Sequence, residues 1–300
     1  MGLTKADAVV LALVLQNQDT AIKDVLCIGA PKVHFSYEWI EKSLLPWLKN
    51  KYPSAPIHFK APIRSSFQQR NLVPFKDFFQ IWGIKNVQVM DIDEYEGADH
   101  LFDLNQPECP SGLHSKFDLI VDGGSLEHCF NLPNALNSIG AMLRENGVAF
   151  HTNPANLMID HGFFQVSPTL YSDYYEAAGF DLLYGGLSHT STKIFTDVKI
   201  DEYSGDIYRS KSGSSRASKL PRLFVLFAAK KTAKSISPNS VVQNYYKRLH
   251  SGEKSQGLVL EYKIDTGNIS IRRKIIPTIV SLIYSLIVDK RLANLKSFSH

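Results

Sequence analysis

Short apolar runs alternate along the chain with segments whose apolar positions recur at helical spacing. From Asp24 onward this alternation is typical of a parallel sheet with helices packed on its faces. The earlier apolar run Ala8–Leu15 predicts a helix that packs on the same domain. Five buried strands are predicted, at Val25–Ala30, Asn86–Ile92, His100–Leu104, Phe117–Gly124 and Gly147–Asn153.

Two segments carry start and stop signals for helices. Between the fourth and fifth strands, Asn131 is a candidate N-cap and Asn146-Gly147 marks the end of a helix. The second helix is predicted at Pro168–Ala178, with Ser167 as its cap and Gly179 after its end. Both helices are therefore expected to cover the sheet.

The later part of the chain contains two further β-rich runs, Lys193–Ile200 and Arg222–Lys231, separated by a Ser, Gly and basic stretch that predicts a loop. Beyond them, Val241–His250 predicts a helix and Gly257–Ile264 a strand. The apolar run Ile275–Val288 is shorter than a membrane-spanning helix needs. It predicts either a buried helix or a helix that contacts a membrane surface or a partner.

The chain has 300 residues, of which 44% are hydrophobic and 21% charged, a composition typical of a globular protein. We expect one domain over residues 1–235, with an insertion around residues 32–85, and a C-terminal helical extension over residues 236–300. A formal charge of +4 is too small to indicate a nucleic-acid partner. Three cysteines without a CxxC pair indicate a reducing, cytoplasmic setting. No integral membrane insertion and no signal peptide are expected.

Polar residues and glycine follow the predicted strands, where an open parallel sheet binds its ligands. Gly29 follows the first strand, and a glycine there lets the backbone approach a ligand closely. Asp91 or Asp93, at the end of the second strand, could accept hydrogen bonds from both hydroxyls of a nucleoside ribose. Asp103, after the third strand, could meet an adenine amino group or a neighbouring backbone amide. A single carboxylate at such a place is more often a loop or helix cap, but this joint placement favours a nucleoside site.

The segment Phe117–Pro154 resembles the class I, Rossmann-like S-adenosylmethionine-dependent methyltransferases, especially the group called type 11 or type 12. In that group a Phe-Asp-Leu-Ile strand leads into a Leu-Glu-His turn, a helix and the next strand, as it does here. The resemblance extends from about Asp24 to Lys231. It implies an α/β fold with a Rossmann-like seven-stranded, mostly parallel sheet and helices on both faces. The two late β-rich runs then become the sixth and seventh strands, with the last strand antiparallel.

The resemblance also implies a cofactor, S-adenosyl-L-methionine, and assigns parts of its site. Gly29 falls on the cofactor loop, Asp91-Ile92 on the ribose-binding strand end, Asp103-Leu104 on the adenine side and Asp122-Gly123 on the segment that flanks the methionine moiety. The first loop departs from the family pattern, because it has one glycine and no acidic residue. The interval from Gly29 to Asp91 also exceeds the roughly 30 residues of a compact βαβ unit.

Acid–base candidates lie after the fourth and fifth strands. A methyltransferase of this kind has mainly to align its nucleophile, and a base helps where a hydroxyl must lose its proton. Glu127 and His128 follow the fourth strand, His151 follows the fifth, and His161 lies in a loop containing glycine and aromatic residues. His161 or His128 is favoured as the base, since histidine titrates near neutral pH. Candidate side chains for the acceptor pocket are Phe163, Phe164, Gln165 and Tyr171.

Several other chemistries lack their sequence motifs. No H-x-x-x-H, H-E-x-x-H or EF-hand spacing occurs, so no required metal is expected. The chain has neither G-x-S-x-G nor a G-x-G-x-x-G after the first strand, which disfavours a hydrolase and a nicotinamide dehydrogenase. The leading hypothesis is a methyltransferase that acts on a hydroxyl of a small-molecule or sugar-containing acceptor. The second is a non-catalytic methyltransferase-like module with a degenerate cofactor loop. A homodimer and a peripheral membrane contact through residues 275–288 are left open.

Overall fold

The computed structural model describes residues 2–53, 72–190, 198–202, 222–251 and 269–271. The predicted elements at Gly257–Ile264 and Ile275–Val288 lie outside these ranges. The strands are β1 (Gly2–Leu3), β2 (Asp24–Ile28), β3 (Lys32–Val33), β4 (Asn86–Asp91), β5 (His100–Leu101), β6 (Phe117–Asp122), β7 (Leu143–Pro154), β8 (Asp181–Thr190), β9 (Val198–Glu202), β10 (Arg222–Lys230) and β11 (Ile269–Ile271).

The helices alternate with strands along much of the described chain, as in other α/β domains. They are α1 (Lys5–Gln16), α2 (Tyr37–Trp39), α3 (Leu45–Lys51), α4 (Phe75–Gln80), α5 (Leu132–Met142), α6 (Pro168–Ala177) and α7 (Asn244–His250). A π-helical turn at Ile40–Leu44 joins α2 to α3, and 3₁₀ turns lie at Ser111–Leu113 and Leu126–His128. Among the described residues, no helix is long and apolar enough to cross a membrane.

A nine-stranded sheet in the order β11-β9-β8-β10-β7-β6-β2-β4-β5 forms the centre of the molecule. Strands β5, β4, β2, β6 and β7 pair in parallel. Strand β10 lies antiparallel between β7 and β8. The seven strands from β5 to β8 make up the mostly parallel sheet expected from the sequence, with its last strand antiparallel, so the predicted fold class is confirmed. Strands β9 and β11 extend it by two antiparallel strands at one edge.

The prediction for the sixth strand is wrong. Asp181–Thr190 forms that strand as β8, whereas the predicted run Lys193–Ile200 overlaps only β9, one position further out. Residues 191–197 lie outside the described ranges. Gly185 and Gly186 interrupt the apolar run of β8, and glycine weakens the strand signal because it has no side chain to pack. The hydrophobic pattern alone therefore missed a strand whose Leu183, Tyr184 and Leu187 are buried.

Both faces of the sheet are covered, as predicted. Successive residues of a strand point to opposite faces, and β2 shows this clearly. Val25 and Cys27 pack in one hydrophobic cluster with α1, α3 and α4, whereas Leu26 and Ile28 pack in the other with α5 and α6. Strand β2 is thus buried on both sides, which fixes the position of the loop that follows it.

The predicted boundaries of α6 hold closely, whereas α7 begins at Asn244 and not at the predicted Val241, and Asn131 precedes α5 without a side-chain capping hydrogen bond. Ser167 caps α6 by accepting a hydrogen bond from the Thr169 N–H at 3.3 Å, and Gly179 follows that helix with a φ of +74°. Helix α5 ends at Met142, earlier than the predicted stop at Asn146. Leu143 already belongs to β7, and Asn146 takes a left-handed conformation with a φ of +66° inside that long strand.

The strand order reverses at β2, which has β4 on one side and β6 on the other. From β2 the chain proceeds through β4 and β5 to one edge, and then returns to β6 and β7. Such a switch point opens a crevice beyond the carboxyl ends of the strands, where ligands bind in open α/β sheets. The ends of β2, β4 and β6 therefore mark the place to search for a functional site.

Candidate functional site

The ends of β2 and β4 lie side by side at the switch point. The Gly29 N–H donates a hydrogen bond to the Met90 carbonyl at 2.7 Å. Gly29 has a φ of +71°, and a Cβ placed on it would lie 2.9 Å from Ser125 Oγ and 4.0 Å from Asp91 Oδ2. The position that a side chain of Gly29 would occupy thus lies between Ser125 Oγ and Asp91 Oδ2, and this narrow gap is called the space at Gly29 below. Glycine is suited to this position in both conformation and size.

Asp91 and Asp93 are distinguished by their positions. The half-buried Asp91 uses Oδ1 to accept a hydrogen bond from the Ile92 N–H at 2.7 Å, and its Oδ2 faces Gly29. Asp93 is exposed and accepts a hydrogen bond from the Tyr95 N–H at 2.9 Å. The side chain of Ile92 is also exposed beside them. Of the two candidate ribose acids, Asp91 is therefore the one that borders the space at Gly29.

Asp103 and Leu104 lie after β5. The Asp103 carboxylate accepts hydrogen bonds from the backbone N–H and the side-chain amide of Asn105, at 2.9 and 2.8 Å. These bonds lower the pKa of Asp103. Of the two partners considered from the sequence, the structure shows the neighbouring backbone amide. Leu104 is buried in the hydrophobic core.

The Asp122 side chain holds the turn after β6 in place through hydrogen bonds. It is fully buried, and its Oδ1 accepts hydrogen bonds from the backbone N–H groups of Gly124, Ser125 and Leu126, at 3.3, 2.8 and 3.2 Å. Ser125 Oγ in turn donates to the Ile28 carbonyl at 2.8 Å, which ties the turn to β2. Gly123 packs against Pro31. Asp122 therefore shapes the segment predicted to flank the methionine moiety, and does so without an exposed carboxylate.

Three of the four predicted acid–base residues come together beside this turn. Glu127 Oε1 lies 3.8 Å from His128 Nε2 and 3.5 Å from His161 Nε2. The two imidazole rings have centroids 5.1 Å apart. Glu127 is fully buried, whereas the His128 and His161 side chains are 46% and 30% exposed. This group, called the Glu–His–His cluster below, opens to solvent on the side of His128.

The loop after β7 brings His161 onto Glu127. The Phe164 N–H donates a hydrogen bond to the Glu127 carbonyl at 3.2 Å. Gly162 lies directly on that carbonyl, since a Cβ there would be 2.8 Å from the oxygen. Leu157 and Asp160 in the same loop have φ values of +53° and +64°, which are costly conformations for residues with side chains. Contacts with Glu127 thus help to hold a loop that local preferences do not favour.

Asn153, at the end of β7, orients Glu127 from behind. Its Nδ2 donates hydrogen bonds to Glu127 Oε2 at 2.9 Å and to Asp122 Oδ2 at 3.0 Å, and the Tyr171 hydroxyl donates to its Oδ1. The amide therefore bridges two buried carboxylates with both of its N–H groups. Glu127 Oε1 is left facing the histidines. It is buried and has no hydrogen-bond partner, and the same is true of His161 Nε2.

The surroundings of the cluster favour the uncharged forms of Glu127 and His128. Burial raises the pKa of the Glu127 carboxyl to about 7, and the nearby Asp122 carboxylate adds to the rise. Burial lowers the pKa of His128, and the neighbouring His161 lowers it further. A carboxyl that titrates near neutral pH, as Glu127 does, is suited to proton transfer.

His151 is a core residue and not an acid–base candidate. It is fully buried, with Nδ1 3.1 Å from Asp122 Oδ2 and Nε2 2.7 Å from the Tyr175 hydroxyl. Its ring stacks on Tyr171 with centroids 4.4 Å apart. The predictions that His151 acts on a substrate and that Tyr171 lines the acceptor pocket are therefore wrong, because both side chains are enclosed by protein.

Aromatic side chains border the exposed side of the cluster. Phe130 and Phe163 are each 67% exposed, and their rings meet edge to face with centroids 5.7 Å apart. Phe130 follows His128 by two residues and Phe163 follows His161 by two residues, so the same two segments carry both pairs. Phe164 is partly buried against the core, and Gln165 accepts a hydrogen bond from the Met158 N–H at 3.0 Å. Of the predicted pocket residues, Phe163 and Gln165 are exposed.

Sequence reasoning missed Asn153, Ser125 and Gly162, which position the others. Asn153 lies at the end of β7 and Ser125 shortly after β6. Their positions at strand ends were the signal that could have identified them, since such positions face the crevice. Nothing in the sequence indicated that Asn153 bridges Asp122 and Glu127, because that contact joins segments far apart in the chain. Gly162 gave no sign of its contact with Glu127 for the same reason.

Comparisons with known proteins give matches in structure only. No family model and no curated protein matches the sequence. The structure matches many solved S-adenosylmethionine-dependent methyltransferases at low sequence identity. One is the 1,6-didemethyltoxoflavin N1-methyltransferase of Burkholderia thailandensis, solved with 1,6-didemethyltoxoflavin and S-adenosylhomocysteine. It is 15% identical, with a TM-score of 0.35, over 76% of this chain and 80% of that one.

Two further matches are of the same kind. A methyltransferase from Archaeoglobus fulgidus is 13% identical, with a TM-score of 0.36, over 75% of this chain and 94% of its own. A methyltransferase from Mesorhizobium loti is 12% identical, with a TM-score of 0.35, over 75% and 98% of the two chains. At these scores the fold assignment rests on the strand order of the sheet itself.

Proposed function

We propose that this protein is an S-adenosylmethionine-dependent methyltransferase that methylates a hydroxyl group of a small-molecule or sugar-containing acceptor. The observation that carries the proposal is the placement of the Glu–His–His cluster next to the space at Gly29. Ser125 borders that space and begins the turn that carries Glu127 and His128. The proposed nucleoside site and the Glu–His–His cluster thus share one turn of the chain.

The residues at the switch point fit the cofactor. Gly29 leaves open the room that a Cβ would fill, and Asp91 borders it with one carboxylate oxygen. In the proposed complex Asp91 accepts hydrogen bonds from the ribose hydroxyls, Ile92 and Asp103-Leu104 flank the adenosine, and Asp122-Gly123 form the wall beside the methionine moiety. When bound, S-adenosylmethionine supplies a methyl group already activated by a sulfonium sulfur.

The contribution of the cluster is to receive the proton of the acceptor hydroxyl. The acceptor oxygen forms its new bond to the methyl carbon while the carbon–sulfur bond breaks, and the electron pair of that bond remains on sulfur. The hydroxyl proton passes to Nε2 of His161 or His128 and then to solvent. Glu127 lies within 3.8 Å of both nitrogens and stabilises the imidazolium that forms. Phe130 and Phe163 provide an apolar wall for the acceptor beside these histidines.

One observation favours a second function, a non-catalytic binding module. The loop after β2 continues into β3, which pairs with β1, and no helix begins there. A helix N-terminus at this place would present backbone N–H groups to an anionic ligand. The chain thus lacks one common means of holding a cofactor at the first strand, in keeping with its single glycine.

Calorimetry with S-adenosylhomocysteine separates the two functions. The methyltransferase proposal predicts binding in the micromolar range, which corresponds to about 8 kcal/mol. Absence of binding up to about 1 mM, or about 4 kcal/mol, would leave only the non-catalytic module. Incubation of the protein with S-adenosylmethionine and a panel of hydroxyl-bearing small molecules then identifies the acceptor by the S-adenosylhomocysteine released.

A further inference from the structure

We infer that Glu127, His128 and His161 bind a divalent transition-metal ion, with Glu127 Oε1 and the Nε2 atoms of both histidines as its ligands. Sequence spacing gave no sign of such a site. Two of these residues are adjacent in the chain, and the third comes from the loop after β7. Motif spacing detects ligands that share one element, whereas this site exists only once the loop has docked on Glu127.

The distances fit an ion with side-chain adjustment alone. The three ligand atoms lie within 4.8 Å of one another, and Glu127 Oε1 is 3.5 and 3.8 Å from the two histidine nitrogens. A tetrahedral ion with ligands at about 2.1 Å separates them by about 3.4 Å. An ion placed among the three atoms would therefore draw the side chains together by small rotations.

Two of the ligand atoms are unsatisfied as they stand. Glu127 Oε1 and His161 Nε2 are both buried, and neither has a hydrogen-bond partner. Buried polar atoms in folded proteins nearly always have a hydrogen-bond partner, so a buried atom without one is expected to contact a water molecule or an ion. Here the two exceptions are 3.5 Å apart and face each other. A single ion satisfies both.

The carboxylate is also held by supporting contacts that metal sites require. Glu127 Oε2 accepts a hydrogen bond from Asn153 Nδ2 at 2.9 Å, and Asn153 is itself fixed by Asp122 and Tyr171. Ligands of metal ions are commonly oriented by such second contacts. This arrangement leaves Oε1 as the free ligand atom of Glu127. His161 is positioned by Gly162 and Phe164, which pack on the Glu127 backbone.

The donor atoms select the class of ion. Two imidazoles and one carboxylate suit Zn²⁺, Fe²⁺, Co²⁺ or Ni²⁺, whereas Mg²⁺ and Ca²⁺ prefer oxygen ligands. Three protein ligands leave at least one position open, as in catalytic metal sites. Because His128 is the exposed member, that position faces solvent on the side of Phe130 and Phe163.

The role of the ion rests on the proposed function, but its binding does not. In the methyltransferase, the open position would hold the acceptor hydroxyl, whose pKa the ion lowers so that the proton leaves directly to solvent. The histidines then act as ligands rather than as the base. If the protein binds no cofactor, the site remains a metal site.

The test measures metal binding by the full-length, tag-free protein without cofactor or acceptor. Zn²⁺ is titrated by calorimetry, and Co²⁺ by the visible absorbance of its bound form. We expect one ion per chain, with affinity at least about 10-fold weaker in Glu127→Gln and His161→Ala and unchanged in the control His114→Ala, whose histidine lies outside the cluster. Asn153→Ala should weaken binding about 10- to 100-fold, and millimolar Mg²⁺ should not compete.

Two results would overturn the inference: no binding of Zn²⁺ or Co²⁺ by the wild-type protein, or equal affinity in the wild type and in folded Glu127→Gln and His161→Ala. Circular dichroism establishes that each variant is folded, and His128→Ala, at the exposed member of the cluster, serves if a buried variant is not. Loss of metal binding with intact S-adenosylhomocysteine binding would reject this inference alone. The reverse result would reject the methyltransferase proposal alone.

Discussion

The two halves of the candidate site are built in different ways. The cofactor side consists of residues at the ends of β2 and β4, and Gly29 and Asp91 reach their places through strand position alone. The acceptor side consists of Glu127, His128 and His161, which meet because a loop docks on a buried carboxylate. The first half is partly exposed and locally determined, whereas the second depends on a buried hydrogen-bond network.

This difference separates binding from stability. Asp91 is half-exposed and contacts its own neighbour, so removal of its carboxylate should leave the fold intact. Asp122 is enclosed. It accepts hydrogen bonds from backbone N–H groups of the turn after β6 and from the Asn153 side chain. Substitutions on the cofactor side should therefore change affinity, and those beneath the acceptor side should change the free energy of unfolding.

The largest effect is expected at Asp122. Asp122→Ala removes the acceptor for three backbone N–H groups and removes one hydrogen-bond partner from each of His151 and Asn153. We expect a loss of about 3 to 5 kcal/mol in the free energy of unfolding, measured by urea denaturation. Asp93→Ala is the control and should change stability by less than about 0.5 kcal/mol. A loss below about 1 kcal/mol at Asp122 would mean that the buried network does not support the site.

The next largest effect is expected at His161. His161→Ala should lower turnover about 10²-fold or more, whether the imidazole acts as the base or as a metal ligand. Because His161 lies on the acceptor side, the affinity for S-adenosylhomocysteine should not change. His114→Ala is the matched control for turnover. A rate within about twofold of the wild type would remove His161 from the chemistry.

A smaller effect is expected at Asp91. Asp91→Ala should weaken S-adenosylhomocysteine binding by about 1.5 to 3 kcal/mol, the contribution of a charge-assisted hydrogen bond. Asp93→Ala should leave the affinity unchanged, since that carboxylate accepts from Tyr95 and lies away from Gly29. Calorimetry measures both. Equal affinities in the two variants would show that the ribose acid is wrongly assigned.

The smallest effect is expected at Gly162. Gly162→Ala places a methyl group 2.8 Å from the Glu127 carbonyl, so the loop must shift. We expect a destabilisation of about 1 to 3 kcal/mol together with reduced turnover. Gly112→Ala is the control, because a Cβ there meets nothing within 4 Å. Unchanged stability and turnover in Gly162→Ala would show that close packing on Glu127 is not needed to place His161.

The same contrast explains how much could be predicted from the sequence. The parallel strands and the residues after them were predictable, because apolar runs and their ends are local signals. Strand β8 was missed where Gly185 and Gly186 dilute that signal. His151 lies in the last part of a strand, as Asp91 does, yet it is enclosed between Asp122 and Tyr175. Whether a polar residue at a strand end faces the crevice or the core depends on packing that no local pattern reveals.

A crystal structure with bound S-adenosylhomocysteine tests the central claim most directly. The account predicts that the ribose hydroxyls lie within hydrogen-bond distance of Asp91, that the adenosine passes over Gly29, and that the sulfur faces the Glu–His–His cluster. A ligand bound elsewhere, or a sulfur turned away from Glu127, His128 and His161, would contradict the assignment of this crevice as a methyltransferase site.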